Sequence, residues 1–177
     1  MRIRPIIRLL VLTTALAFAL SATAACAAAK LKVGDKAPSF TLKDIKGNTY
    51  KLSSYQGKRV VVLDFGRFTC EPCRNTMKNL QKLHTKYKSK GLQVFAVNLD
   101  GPLAPRVVPQ GIKDLGITFP VLLDNRTRTA LRYGVQIIPH VVLVDTHGIV
   151  RFTHERYDPD IERKLSALID KYRPKGR

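Results

Sequence analysis

Residues 58–99 read KRVVVLDFGRFTCEPCRNTMKNLQKLHTKYKSKGLQVFAVNL. Lys58 to Phe65 carries the run Val60-Val61-Val62-Leu63, aliphatic without alternation, as a parallel strand buried on both faces requires. From Cys73 to Lys90, the residues Met77, Leu80, Leu83, His84 and Tyr87 recur at three-to-four spacing, one face of a helix, and Gly91 stops it. Leu92 to Leu99 is a second apolar strand. Strand, helix and strand in this order make a β-α-β unit, so the two strands are expected to be parallel with a right-handed crossover.

Upstream, Lys30 to Gly57 reads as a β extension. Phe40-Thr41-Leu42 and Thr49-Tyr50-Lys51-Leu52 pair around the turn Lys46-Gly47-Asn48. Downstream, Pro102, Pro105 and Pro109 mark the first half of Asp100 to Gly116 as loop, leaving a short helix over Gln110 to Leu115. Pro120 to Asp124 is extended, and Thr127 to Tyr133 is a short helix. Val141 to Val144 and Ile149 to Thr153 form an antiparallel hairpin around Asp145-Thr146-His147-Gly148. A last helix spans Asp158 to Tyr172, with Asp158 or Asp160 as its cap and Ile161, Leu165, Leu168 and Ile169 on one face.

The chemistry sits at the join of the first strand and helix, in Cys70-Glu71-Pro72-Cys73. A thiolate at a helix N-terminus is stabilised by free N–H groups and the helix dipole. Cys70 is placed there, exposed, and Cys73 one turn inside, shielded. Pro72 fits because first-turn N–H groups have no intrahelical partner. A loop this short gains little as a structural staple, so the spacing points to redox work or to half of a metal site. Cys70 is then the attacking thiol and Cys73 the resolving one. Arg67 and Arg74 flank the pair and favour the thiolate, while Glu71 opposes it.

The N-terminus resembles a secretory signal. Arg2, Arg4 and Arg8 precede an apolar stretch from Leu9 to Leu20, and Ala22-Thr23-Ala24 and Ala27-Ala28-Ala29 both suit cleavage. The expected organisation is residues 1–29 as signal peptide or membrane anchor and residues 30–177 as one domain. Cleavage, lipidation at Cys26 and retention as an uncleaved anchor all stay open. Export places the domain in the periplasm or on the outer face of the cell membrane. The net charge is +18, and residues 1–29 contribute three arginines and no acid to it. Such a charge favours acidic partners or an anionic membrane surface. The basic residues are scattered rather than interleaved with aromatics, which argues against a nucleic-acid binder.

Val61-Val62-Leu63-Asp64-Phe65 through Cys70-Glu71-Pro72-Cys73-Arg74 resembles the thioredoxin superfamily. Gly34-Asp35-Lys36-Ala37-Pro38-Ser39-Phe40, the insertion after Val97-Asn98-Leu99-Asp100, and Tyr133-Gly134-Val135-Gln136-Ile137-Ile138-Pro139 are similar to its TlpA/ResA-like branch, which overlaps the AhpC/TSA-like group. The resemblance implies a thioredoxin-like α/β fold: a central mixed sheet flanked by helices, with an N-terminal β extension and a helical insertion. It implies a cis bond at Pro139 opposite the cysteines, with the backbone of Ile138 pairing with bound substrate. Asp64, six residues before Cys70, matches the buried acid that assists proton transfer from the second cysteine. The implied activity is thiol-disulfide exchange, in the reducing direction, on exported protein thiols and disulfides such as those of apocytochrome c. A transmembrane electron donor would supply electrons, and no cofactor is expected beyond the Cys70–Cys73 disulfide.

Three positions depart from that branch. Thr69 stands where Trp usually precedes the first cysteine, Thr76 replaces a glutamate three positions after the second, and His140 follows the proline in place of Thr. His140 either tunes the thiols or packs within its strand. Two other functions use the same residues. A copper chaperone would bind Cu(I) through soft thiolates and a histidine such as His140. A thiol peroxidase would need a hydroxyl residue three positions before its cysteine, where Arg67 stands before Cys70. No metal-ligand spacing joins the other histidines to the cysteines.

Overall fold

A computed structural model describes residues 30–174. The signal or anchor segment, Cys26 and the last three residues lie outside the described residues.

Seven strands form one sheet: β1 (Thr41–Asp44), β2 (Thr49–Lys51), β3 (Val60–Gly66), β4 (Leu92–Asn98), β5 (Val121–Leu123), β6 (His140–Val144) and β7 (Val150–Glu155). Their order is β2-β1-β5-β4-β3-β6-β7. β3 and β4 are parallel, in register from Val60 opposite Leu92 to Gly66 opposite Asn98. β5 continues the parallel set beside β4, and β6 and β7 add the antiparallel hairpin against β3. The sheet is mixed, with its parallel strands at the centre.

Helices α1 (Glu71–Tyr87), α2 (Ala104–Leu115), α3 (Arg128–Arg132) and α4 (Ile161–Tyr172) cover it. β3 is buried along its whole length and supplies two cores. Val60 and Val62 pack with Cys73, Met77, Leu80 and Leu83 of α1 and Ile161, Leu165 and Ile169 of α4. Val61, Leu63 and Phe65 pack on the opposite face with Phe40, Leu52, Ala130 and Tyr133. The strict alternation of β3 side chains between these cores fixes which residues can face the α1 side.

The β-α-β unit, the hairpin and the helical face of α1 stand as expected, with α1 beginning at Glu71 and passing through a short 3-10 turn, Lys88–Lys90, to Gly91 at φ +92°. Two expectations are corrected. The segment after Asp100 is a 3-10 turn, Gly101–Leu103, running into a helix over Ala104–Leu115, not a loop with a helix at 110–115. Pro102 and Pro105 sit in first turns, where no N–H is missed; Pro109 lies inside α2, and burial of Ala104, Val108 and Gly111 outweighs its lost hydrogen bond. Nor does either aspartate cap α4 by its side chain. Asp158 instead accepts from Asp160 N at 2.9 Å and from Lys164 Nζ at 2.6 Å, closing the turn ahead of the helix.

Candidate active site

Gly66 ends β3, and its carbonyl accepts from Leu99 N at 2.9 Å, keeping the ends of β3 and β4 together. The chain then turns through Arg67 to Cys70, with Cys70 N donating to Arg67 O at 3.3 Å. Phe68 is buried against Gly111 of α2, close enough that a methyl group at 111 would overlap its ring.

Cys70 is the N-cap of α1, and its Sγ accepts from Cys73 N at 3.3 Å. The two cysteines form a disulfide with Cα atoms 5.3 Å apart. Cys70 is half-buried and Cys73 fully buried. Pro72 occupies the first turn and is exposed, as is Glu71. Thr76 is buried, and its hydroxyl donates back to Pro72 O at 3.2 Å.

Asp64 is completely buried, and neither carboxyl oxygen has a hydrogen-bond partner. Burial pushes its pKa up to about 8. Val62 faces the α1 core, so Asp64 and Gly66 face it too. Gly66 confirms the geometry: a methyl group there would lie 3.1 Å from Cys73 Cβ and 3.4 Å from its Sγ. Asp64 thus shares the sheet face of Cys73, one alternation deeper.

The bond between Ile138 and Pro139 is cis, and the Pro139 carbonyl accepts from Arg156 N at 2.8 Å. His140 pairs with Phe65 across β3 and β6, which sets Pro139 at the end of β3 from which the Cys70 loop departs. Ile138 is half-buried and packs against both cores, with Cys70 also docked on the first. Among the described residues its backbone N–H and carbonyl have no hydrogen-bond partner.

His140 turns away from the cysteines. Val141 and Leu143 belong to the α1 core, Val142 and Val144 to the other, and His140 alternates with the latter. Its ring stands edge-on to Phe65 and its Nε2 lies 2.8 Å from Thr153 Oγ1. Burial lowers its pKa against the pull of Glu155, whose carboxylate is 3.8 Å from Nδ1. His84 is buried beside Phe119. Among the described residues no three His, Cys, Asp or Glu side chains are grouped to hold a metal ion.

Of the flanking residues, Arg67 is exposed and donates from Nε to Leu99 O at 3.0 Å, while Arg74, Asn75 and Lys78 line a polar cleft with Phe68, Thr69 and Glu71. Thr69 introduces a residue that the sequence did not reveal, Asp100. The buried Asp100 carboxylate accepts from Phe68 N at 2.8 Å, Thr69 Oγ1 at 2.8 Å and Asn98 Nδ2 at 2.6 Å. The only signal in the sequence was a pair of polar residues at the carboxyl end of a buried parallel strand, the end where α/β sheets place their sites.

Residues 33–153 match the AhpC/TSA family. The thiol-disulfide oxidoreductase ResA of Geobacillus kaustophilus is 33% identical over 162 residues, covering 90% of this chain and 91% of its own. A crystal structure from Chlorobium tepidum, provisionally assigned as the thiol:disulfide interchange protein DsbE, superposes with a TM-score of 0.73 at 35% identity, over 81% of this chain and 99% of that one. A thiol:disulfide interchange protein from Bacteroides sp. matches with a TM-score of 0.68 at 25% identity, over 79% and 91%.

Proposed function

This chain belongs to the AhpC/TSA family and is a thiol-disulfide oxidoreductase of ResA type, and we propose that it works as a reductant of exported protein disulfides. The observation that carries the reading is the asymmetry of the pair: Cys70 reachable at the N-terminus of α1, Cys73 sealed beneath it.

In the reduced protein the Cys70 thiolate attacks a substrate disulfide. A Cys70–substrate disulfide forms and one substrate thiolate leaves. Cys73 gives its proton to the Asp64 carboxylate, attacks Cys70 Sγ and releases the second substrate thiolate. Two electrons pass from the dithiol to the substrate, and the protein is left with the Cys70–Cys73 disulfide. A membrane dithiol donor must then reduce it again. The backbone of Ile138, beside cis-Pro139, supplies the free N–H and carbonyl on which an extended substrate segment can pair.

What stabilises the thiolates bears on the direction. A strong oxidant of this fold is one whose reduced form is stabilised. The backbone N–H that reaches Cys70 Sγ favours its thiolate, whereas a carboxyl shares the face of Cys73, where its negative form disfavours one. The second feature supports the reducing direction. Export, with the N-terminal segment as signal or anchor, and apocytochrome c as a substrate complete the proposal. Equilibrating the pair against dithiothreitol buffers tests the direction. A potential of about −270 mV or below supports a reductant, and one of about −120 mV overturns it in favour of disulfide donation. Loss of c-type haem proteins in a deletion strain, restored by exogenous thiol, tests the substrate.

A further inference from the structure

Apart from Glu71, the charged residues nearest Cys70 in the chain, Arg67 and Arg74, are basic. A groove lies between Arg67 and α3, with Leu99, Leu131, Val135 and Ile138 in its walls. Ile138, the residue before cis-Pro139, lines this groove, and so does Arg67, at the start of the loop that carries Cys70, so the groove flanks the site. Leu131 is 59% exposed there, an apolar side chain left uncovered on a five-residue helix.

From Asn125 to Val144 the sequence holds no carboxylate, while Arg126, Arg128 and Arg132 are all exposed. The preceding acid, Asp124, is buried, with Oδ2 accepting from Ala130 N at 2.8 Å. Among the described residues Arg67, Arg126, Arg128 and Arg132 enter no ion pair. Elsewhere cations do find carboxylates, as in Lys30–Glu155, Lys82–Glu162, Arg151–Asp145 and Lys164–Asp158. Arg67 lines the groove, and Arg126, Arg128 and Arg132 are chain neighbours of its lining residues Thr127 and Leu131; unpaired, such arginines repel one another and concentrate a positive field. Their planar forks suit carboxylates in two-point contacts.

We propose that this groove docks an acidic segment bearing an apolar residue, flanking the disulfide of the substrate. The inference rests on the oxidoreductase reading and names the class of substrate within it. Glutamate or aspartate side chains meet the arginine rim, an apolar side chain covers Leu131, and the substrate cystine arrives at Cys70 along the Ile138 backbone.

The test is the rate at which the reduced full chain is oxidised by two disulfide peptides of one sequence, flanked by Glu-Leu-Glu or by Lys-Leu-Lys. The acidic peptide is expected to react about tenfold faster at low ionic strength, the difference vanishing in about 0.5 M salt, where screening extends only a few ångströms. Arg128→Glu/Arg132→Glu is expected to reverse the preference, a ratio taken within one protein and so independent of its folded fraction. Equal rates, or a preference for the basic peptide, overturn the proposal. Equal rates accompanied by co-sedimentation with vesicles containing anionic phospholipid would also overturn it and assign the arginines to a membrane surface. Oxidation by neutral dithiodipyridine separates the two levels: if that also fails, the oxidoreductase reading falls, and if it succeeds, only the docking surface does.

Discussion

The Thr69 hydroxyl donates to Asp100 Oδ1 at 2.8 Å, across 31 residues of sequence, while the other oxygen of that carboxylate holds Phe68 N and Asn98 Nδ2. The residue that replaces the usual Trp ahead of the first cysteine is therefore a fastening for the loop, joining the end of β3 to the end of β4.

That clasp has unequal halves. Asp100→Ala leaves a buried N–H and an amide without an acceptor, so it is expected to destabilise the protein by about 2–4 kcal/mol. Thr69→Val removes one partly exposed bond and is expected to cost about 1 kcal/mol. Urea unfolding of both variants, at unchanged m, measures the difference. Equal losses would show that the Thr69 bond, not the backbone bond to Phe68, carries the clasp.

The roles of the cysteines give opposite outcomes for two similar substitutions. On the proposed roles, Cys73→Ser leaves the attacking thiol without its resolver, and a mixed disulfide with substrate is expected to accumulate on Cys70. Cys70→Ser leaves only the buried Cys73 thiol, and little trapping is expected. Non-reducing electrophoresis after incubation with a disulfide peptide reads both. Equal trapping by the two variants would contradict the assignment.

Gly111 tests the packing beneath the loop. In an exposed helix, Gly→Ala stabilises by about 1 kcal/mol. At 111 the added methyl meets the ring of Phe68, so the sign is expected to reverse, to a loss of about 1–3 kcal/mol. Thermal unfolding of Gly111→Ala, with and without Phe68→Ala, isolates the clash as a coupling between neighbours. A stabilised single variant would show that Phe68 moves aside freely.

Residues whose roles are written in local chemistry were legible in the sequence. The aliphatic run of β3, the helical spacing of α1 and the cysteines between them place the site before any contact is known. The cis bond at Pro139 and the burial of Asp64 followed from resemblance, and both geometries are present. What was not legible depends on partners distant in sequence. Pro109 argues for a loop until the buried face of α2 is seen to outweigh it. Asp100 looks like any strand-end acid until the Phe68 N–H is found on it. His140 was open to two readings because only the strand register shows which face it takes.

On the proposed mechanism, one proton on Asp64 bears on both stability and the resolving step. The folded oxidised protein holds that proton up to a pH of about 8, whereas the unfolded chain releases it near 3.8. Between these values the folded state binds more protons than the unfolded state, so this contribution to stability is complete below 3.8, declines as pH rises and is lost by about 8. Asp64→Asn abolishes the titration. The other titrating groups are common to both proteins and cancel in the difference. The variant is therefore expected to gain on the wild type between pH 5 and pH 8 by about 2–4 kcal/mol, at roughly 1.4 kcal/mol per unit of pH where the two states differ by a full proton. Urea unfolding of the oxidised proteins at the two pH values measures this, and a difference independent of pH would mean that Asp64 is not the group holding the proton. The same substitution also acts on chemistry. In the wild type, resolution of the mixed disulfide is expected to speed up as pH rises through about 8 and the carboxylate becomes available as a base. In Asp64→Asn the inflection disappears and the step slows by about a hundredfold. A variant with the altered stability profile and an unchanged resolution rate would leave Asp64 a buried acid with no part in moving the Cys73 proton.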